Sequence, residues 1–88
     1  MRFQFDPTKA AANLKKHGVS FADAEGVFAD PLAAHQIDPD SEGEERFVAL
    51  GLGSAGQVLV VIYALRGNDI RLISARPATR REVKTYAS

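Results

Sequence analysis

Apolar positions fall at helical spacing in the first third of the chain and in short runs bounded by turn formers after it, which predicts helices followed by strands. Residues 2–5 suit a short strand. Asp6-Pro7 then opens a helix over residues 7–17: the carboxylate caps free N–H groups, and proline sits in the first turn, where its missing donor is harmless. Gly18 suits the left-handed residue that stops it. Ser20 and Asp23 resemble a capping box, with Phe21, Ala24, Val27 and Phe28 on one face of a second helix that ends at Asp30-Pro31. Residues 32–37 read as extended, and residues 38–44, with Pro39, Ser41, Gly43 and four acids, as a solvated loop. Strands follow over 46–52 and 57–65 around a glycine-rich turn, then a tight turn at Arg66-Gly67-Asn68-Asp69 and a strand over 70–76. Thr79 and Glu82 form a capping-box signature for a closing helix over 80–87. The expected fold is α+β, with N-terminal helices packed on an antiparallel meander and a short C-terminal helix.

A length of 88 residues fits one domain spanning 1–88. A chain of this mass buries only roughly 63% of its unfolded surface, so a tight partner would add stability. With 45% hydrophobic and 25% charged residues it has the composition of a folded globular protein. The absence of cysteine excludes a disulfide framework, a zinc ribbon and a thiol nucleophile, and two histidines with scattered carboxylates make no convincing metal constellation. Residues 47–65 lack charge, but Gly51, Gly53, Ser54, Gly56 and Gln57 interrupt them, and the longest apolar run is far short of the ~20 residues a spanning helix needs. The start, MRFQFDP, has no secretory signal, so the expected location is the cytoplasm, without membrane contact.

The formal charge is zero, which taken alone argues against a nucleic-acid partner. Yet residues 1–44 carry a net −4 and residues 45–88 a net +4, with the basic side concentrated in Arg71, Arg76, Arg80, Arg81 and Lys84. Arg80 and Arg81 open the closing helix, where the dipole is already positive. Backbone N–H groups and guanidinium groups there could meet one phosphate. Arg71 and Arg76 fall on opposite faces of a straight strand, and Pro77 holds Arg76 extended. On the first helix Lys9, Asn13 and Lys16 lie within about 60° of one another, with His17 at the stripe's edge. They either offer amines, an amide and an imidazole to a ligand or form a solvated face that complements the helix dipole. His35 reads as a strand-surface residue, and Glu82 as a capping residue or a base.

Three groups of residues carry a resemblance to a known family. They are Phe5-Asp6-Pro7, Lys9, Asn13, Lys16-His17-Gly18-Val19, Phe21, Ala24, Val27-Phe28 and Asp30-Pro31; then Glu45-Arg46-Phe47 with Leu50-Gly51; then Ile73-Ser74-Ala75-Arg76, Ala78-Thr79-Arg80-Arg81-Glu82 and Tyr86. In this order and spacing the chain resembles the BrnT family of type II toxin–antitoxin toxins, bacterial ribonucleases with a RelE-like fold. It departs from the family pattern at Phe5, where tryptophan is common, and at Pro77, where a second basic residue is common.

The resemblance implies a metal-independent, cofactor-free endoribonuclease that inhibits translation and growth. In such chemistry the 2′-hydroxyl attacks the adjacent phosphorus, leaving a cyclic phosphate and a free 5′-hydroxyl. The implied catalytic set is His17 for proton transfer, Lys9 and Lys16 assisting, and Arg76 and Arg80 stabilising the phosphorane. Arg46, Arg71, Arg81 and Lys84 are the expected RNA and phosphate contacts. The resemblance also implies a cognate BrnA-type antitoxin in a heterotetramer, through which alone operator DNA would be reached. The competing expectation is a non-catalytic nucleic-acid-binding or protein-interaction module with the same fold.

Overall fold

The start of each helix follows from its cap. A computed structural model describes residues 2–88. Helix α1 (Pro7–His17) begins where the Asp6 carboxylate accepts the Thr8 N–H at 2.8 Å and stops at Gly18, whose φ of 71° is left-handed. Helix α2 (Phe21–Glu25) begins at Ser20, whose hydroxyl accepts the Asp23 N–H at 3.0 Å. The second helix expected through residue 30 is shorter, because it tightens into a 3₁₀ turn over Gly26–Ala29. The Ser54 N–H, from the neighbouring hairpin, takes the Asp23 carbonyl at 3.1 Å. An α-helix would have offered that carbonyl to Val27.

Five strands form one sheet in the order β1-β5-β4-β3-β2, with β1 at Phe3–Gln4, β2 at Ala34–Ile37, β3 at Phe47–Leu52, β4 at Val58–Arg66 and β5 at Asp69–Pro77. The pairs β2/β3, β3/β4 and β4/β5 are antiparallel, as the meander predicts. The sheet as a whole is mixed rather than antiparallel, because β1 runs parallel to β5, pairing Phe3 with Ile70 and Gln4 with Arg71. Residues between β1 and β2 form the helical layer, a crossover that brings the chain to the opposite edge of the sheet. Helix α3 (Arg80–Ala87) closes the chain. No described helix is long and apolar enough to cross a membrane.

The core lies on one face of the sheet. Val19, Phe21, Ala24 and Val27 of the helical layer pack on Ala49, Leu59, Val61, Tyr63, Ile70, Leu72 and Ala75. Phe28 joins the layers, with its ring 4.9 Å from Tyr63 and 5.3 Å from Phe3. Helix α1 contributes little apolar area; Leu14 is 51% exposed. What holds α1 is Asn13. Its amide donates to the Ala75 carbonyl at 2.9 Å and the Val19 carbonyl at 3.0 Å, and its oxygen accepts the Ala75 N–H at 3.1 Å. Strand β1 pairs β5 only as far as Arg71, so Asn13 supplies the hydrogen bonds that a longer β1 would have made to Ala75.

Candidate functional site

Strand β5 is not straight. Leu72 pairs with Tyr63 and Ser74 with Ile62, which leaves Ile73 as an extra, unpaired residue. Core-facing positions accordingly run Ile70, Leu72 and then Ala75, all almost wholly buried. The bulge changes the alternation, so Arg71 and Arg76 leave β5 on the same face, away from the helical layer. This corrects the expectation of opposite faces, which holds only for a regular strand. Val48, Leu50 and Ile62 share this outer face, by alternation with core-facing Ala49, Val61 and Tyr63. Helix α3 covers part of it, where Thr85 lines a shallow groove with Ala34, Gln36, Val48 and Leu50.

Arg76 is gripped at its tip. Its Nη1 and Nη2 donate to the two carboxylate oxygens of Glu82 at 2.8 and 3.0 Å, and Nη1 also donates to the Pro77 carbonyl at 3.2 Å. Glu82 completes the capping box of α3: its carboxylate accepts the Thr79 N–H at 2.8 Å while the Thr79 hydroxyl accepts the Glu82 N–H at 3.2 Å. The Arg76 hydrogen bonds and then the Thr79 N–H hold the Glu82 carboxyl down at about 2. Glu82 is therefore a carboxylate at neutral pH and too weak a base for proton abstraction. The anion expected at the N-terminus of α3 is Glu82 itself. The far end of α3 is tied by Tyr86, whose hydroxyl donates to Asp30 Oδ2 at 2.6 Å. Asp30 also accepts the N–H groups of Leu52 and Leu32, and these bonds, led by Tyr86, lower its pKa.

At the other end of the outer face the acidic loop folds back onto the basic half of the chain. Glu44 accepts from Arg71 Nη2 and pairs with Arg66 Nε at 3.2 Å. Both contacts lower the Glu44 pKa, the Arg71 hydrogen bond most. The Arg71 side chain is 25% exposed, and its Nε is buried without a hydrogen-bond partner. The opposing charges of the two chain halves thus meet in space. Arg46, Arg80, Arg81 and Lys84 form no ion pair among the described residues.

The remaining expected site residues are divided. Arg46, exposed one residue before β3, alternates with core-facing Phe47 and belongs with Arg71 and Arg76 on the outer side. At about 100° per residue, Arg80 and Lys84 lie on the side of α3 opposite Glu82, whereas Arg81 lies near the Thr85 side. Lys9 and Lys16 are exposed and His17 half-buried on α1, which borders the open edge of β5 on the helical side. Lys9, Lys16 and His17 stand on α1, whose Asn13 side chain bonds the β5 backbone at Ala75, the residue before Arg76. Asn13, grouped with those lysines by helical spacing, is buried and fully engaged in holding α1 to β5. His35, exposed on β2, shares a 2.8 Å hydrogen bond with the buried Tyr63 hydroxyl. The roles of Glu44, Asp30 and Glu82 as partners of distant residues had no local signal; the capping box marked only the contact of Glu82 with Thr79.

The outer face presents several guanidinium groups beside apolar strand residues, and the described residues contain no cluster of histidine and carboxylate groups that could hold a metal ion. No curated protein matches the chain. A crystal structure of the Brucella abortus ribonuclease toxin BrnT is similar to it, with 26% sequence identity and a TM-score of 0.68 over 91% of this chain and 99% of that one. Residues 5–82 match the family of the ribonuclease toxin BrnT of type II toxin–antitoxin systems, and this chain belongs to that family.

Proposed function

We propose that the outer face of the sheet is where this toxin holds RNA, with Arg76 as the principal phosphate contact and transition-state stabiliser. The observation that carries this assignment is the bulge at Ile73, which turns Arg71 and Arg76 to one side of β5. A guanidinium suits a phosphodiester because it stays charged and donates two parallel hydrogen bonds. Cleavage proceeds by attack of the 2′-hydroxyl on phosphorus, and the arginines stabilise the charge that builds on the phosphorane. Arg46 and Arg81 extend the contact along the backbone. Lys84 and Arg80, on the outer side of α3, add longer-range attraction for RNA. Arg71, already clamped by Glu44, acts mainly in shaping this surface. His17, Lys9 and Lys16 form a basic strip on α1, and their proton-transfer role is tested by His17→Ala, which is expected to slow cleavage at unchanged RNA affinity. The toxin works in the cytoplasm, where a BrnA-type antitoxin binds it as a heterotetramer and brings the complex to operator DNA.

Incubating the purified protein with RNA in EDTA tests the chemistry. The expected result is undiminished cleavage that leaves 2′,3′-cyclic phosphate and 5′-hydroxyl ends. Loss of cleavage on chelation, or 5′-phosphate products, would overturn it in favour of a metal-activated water. A protein that binds RNA without cutting it would instead support a non-catalytic binding module.

A further inference from the structure

The Arg76 guanidinium carries five N–H donors, of which Nη1 spends both, on Glu82 and Pro77, and Nη2 spends one, on Glu82. What remains is the Nε–H and the second Nη2–H, a parallel pair along one edge of the guanidinium plane. The one buried donor left without a partner among the described side chains is Arg71 Nε, so Nε of Arg76 is not sealed inside the protein. The Arg76 side chain is 41% exposed, enough to admit a ligand along this edge. We infer that Glu82 is a positioning residue for the toxin's reaction: it grips one edge of the Arg76 guanidinium and so aims the other, unused edge at the scissile phosphate.

The geometry gives Glu82 a firm footing for this task. It is locked into the first turn of α3 by two capping hydrogen bonds with Thr79, and α3 is anchored at its other end by Tyr86 on Asp30. Arg76 is held in turn from both sides of its tip, by a carboxylate on α3 and by the carbonyl of Pro77 on its own strand. A long, rotamer-rich side chain is thereby ordered before RNA arrives, and that entropy is not lost again in the transition state. The ion pair offsets the net charge of Arg76, so Glu82 favours orientation over raw attraction for RNA. Its effect belongs in the rate of the bound complex rather than in binding.

Because this role rests on the outer-face assignment, the test separates the two. Single-turnover cleavage of an RNA oligonucleotide at saturating protein is measured for Arg76→Ala, Glu82→Gln, the double variant and Thr79→Ala. Glu82→Gln keeps an oxygen for the Thr79 N–H but replaces one acceptor of Arg76 with a donor. It is expected to slow cleavage about tenfold with RNA affinity within about threefold of the parent, and to add nothing in the double variant, because coupled residues are not additive. Thr79→Ala removes one of the two capping bonds that seat Glu82 but leaves the Glu82 carboxylate on Arg76, and is expected to slow cleavage by less than about threefold, well short of the Glu82→Gln loss. An unchanged or faster rate for Glu82→Gln, a loss confined to binding, losses that multiply in the double variant, or an equal loss for Thr79→Ala would each overturn the positioning role. Full-rate cleavage by Arg76→Ala would instead overturn the outer-face assignment itself.

Discussion

Arg76→Ala is expected to reduce RNA cleavage about 100-fold, equivalent to ~2.7 kcal/mol of transition-state stabilisation. The size follows from what this residue combines: a place on the outer face, a guanidinium fixed by Glu82 and Pro77, and an unused pair of donors. Arg71→Ala is the natural comparison on the same face. Arg71 is the more deeply covered of the two arginines and is already engaged by Glu44, so its removal disturbs the acidic loop more than the chemistry. Cleavage of an oligonucleotide under single-turnover conditions measures the Arg76 effect. A loss in kcat that exceeds any rise in KM is the signature of an interaction made mainly in the transition state.

For stability, the largest single effect is expected at Asn13. Replacing it with alanine leaves the Ala75 N–H, the Ala75 carbonyl and the Val19 carbonyl without protein partners at a site where Asn13 itself is only 7% exposed. Buried groups stripped of their partners cost much more than the net value of a hydrogen bond, so the expected loss is about 3 kcal/mol. For a domain of this size that lowers Tm by on the order of 15 °C, measured by thermal denaturation. Asn13→Asp removes the two donated bonds but keeps an acceptor for the Ala75 N–H, and it also destabilises by placing a carboxylate beside two carbonyls. The apolar packing of α1 cannot compensate, because Leu14 remains half exposed.

These two residues also mark where sequence was informative and where it was not. The caps of all three helices were visible because each signal lies within a few residues of its effect: Asp6 on Thr8, Ser20 on Asp23, and Thr79 with Glu82. The strands and their turns were visible for the same reason. Asn13 was not, because its partner Ala75 lies 62 residues away, and an amide on a polar helix stripe looks the same whether it meets water or a strand edge. The bulge at Ile73 likewise has no glycine or proline to announce it, yet it decides which way Arg76 points. The division of charge between the two halves of the chain was correct as arithmetic. Its meaning depended on the acidic loop returning to Arg66 and Arg71 through Glu44, a contact set by tertiary packing.

The family membership and the outer-face assignment meet in one question, which surface of the protein contacts RNA. Titrating isotopically labelled protein with an oligonucleotide whose 2′-hydroxyl groups are replaced by hydrogen answers it by NMR, because such a strand lacks the nucleophile and is not cut. The expected result is chemical-shift change concentrated at Arg46, Ile62, Ser74 and Arg76 and along α3, with the Arg76 Nε–H among the largest. Changes concentrated instead at Lys9, Lys16 and His17, with Arg76 unmoved, would contradict the account.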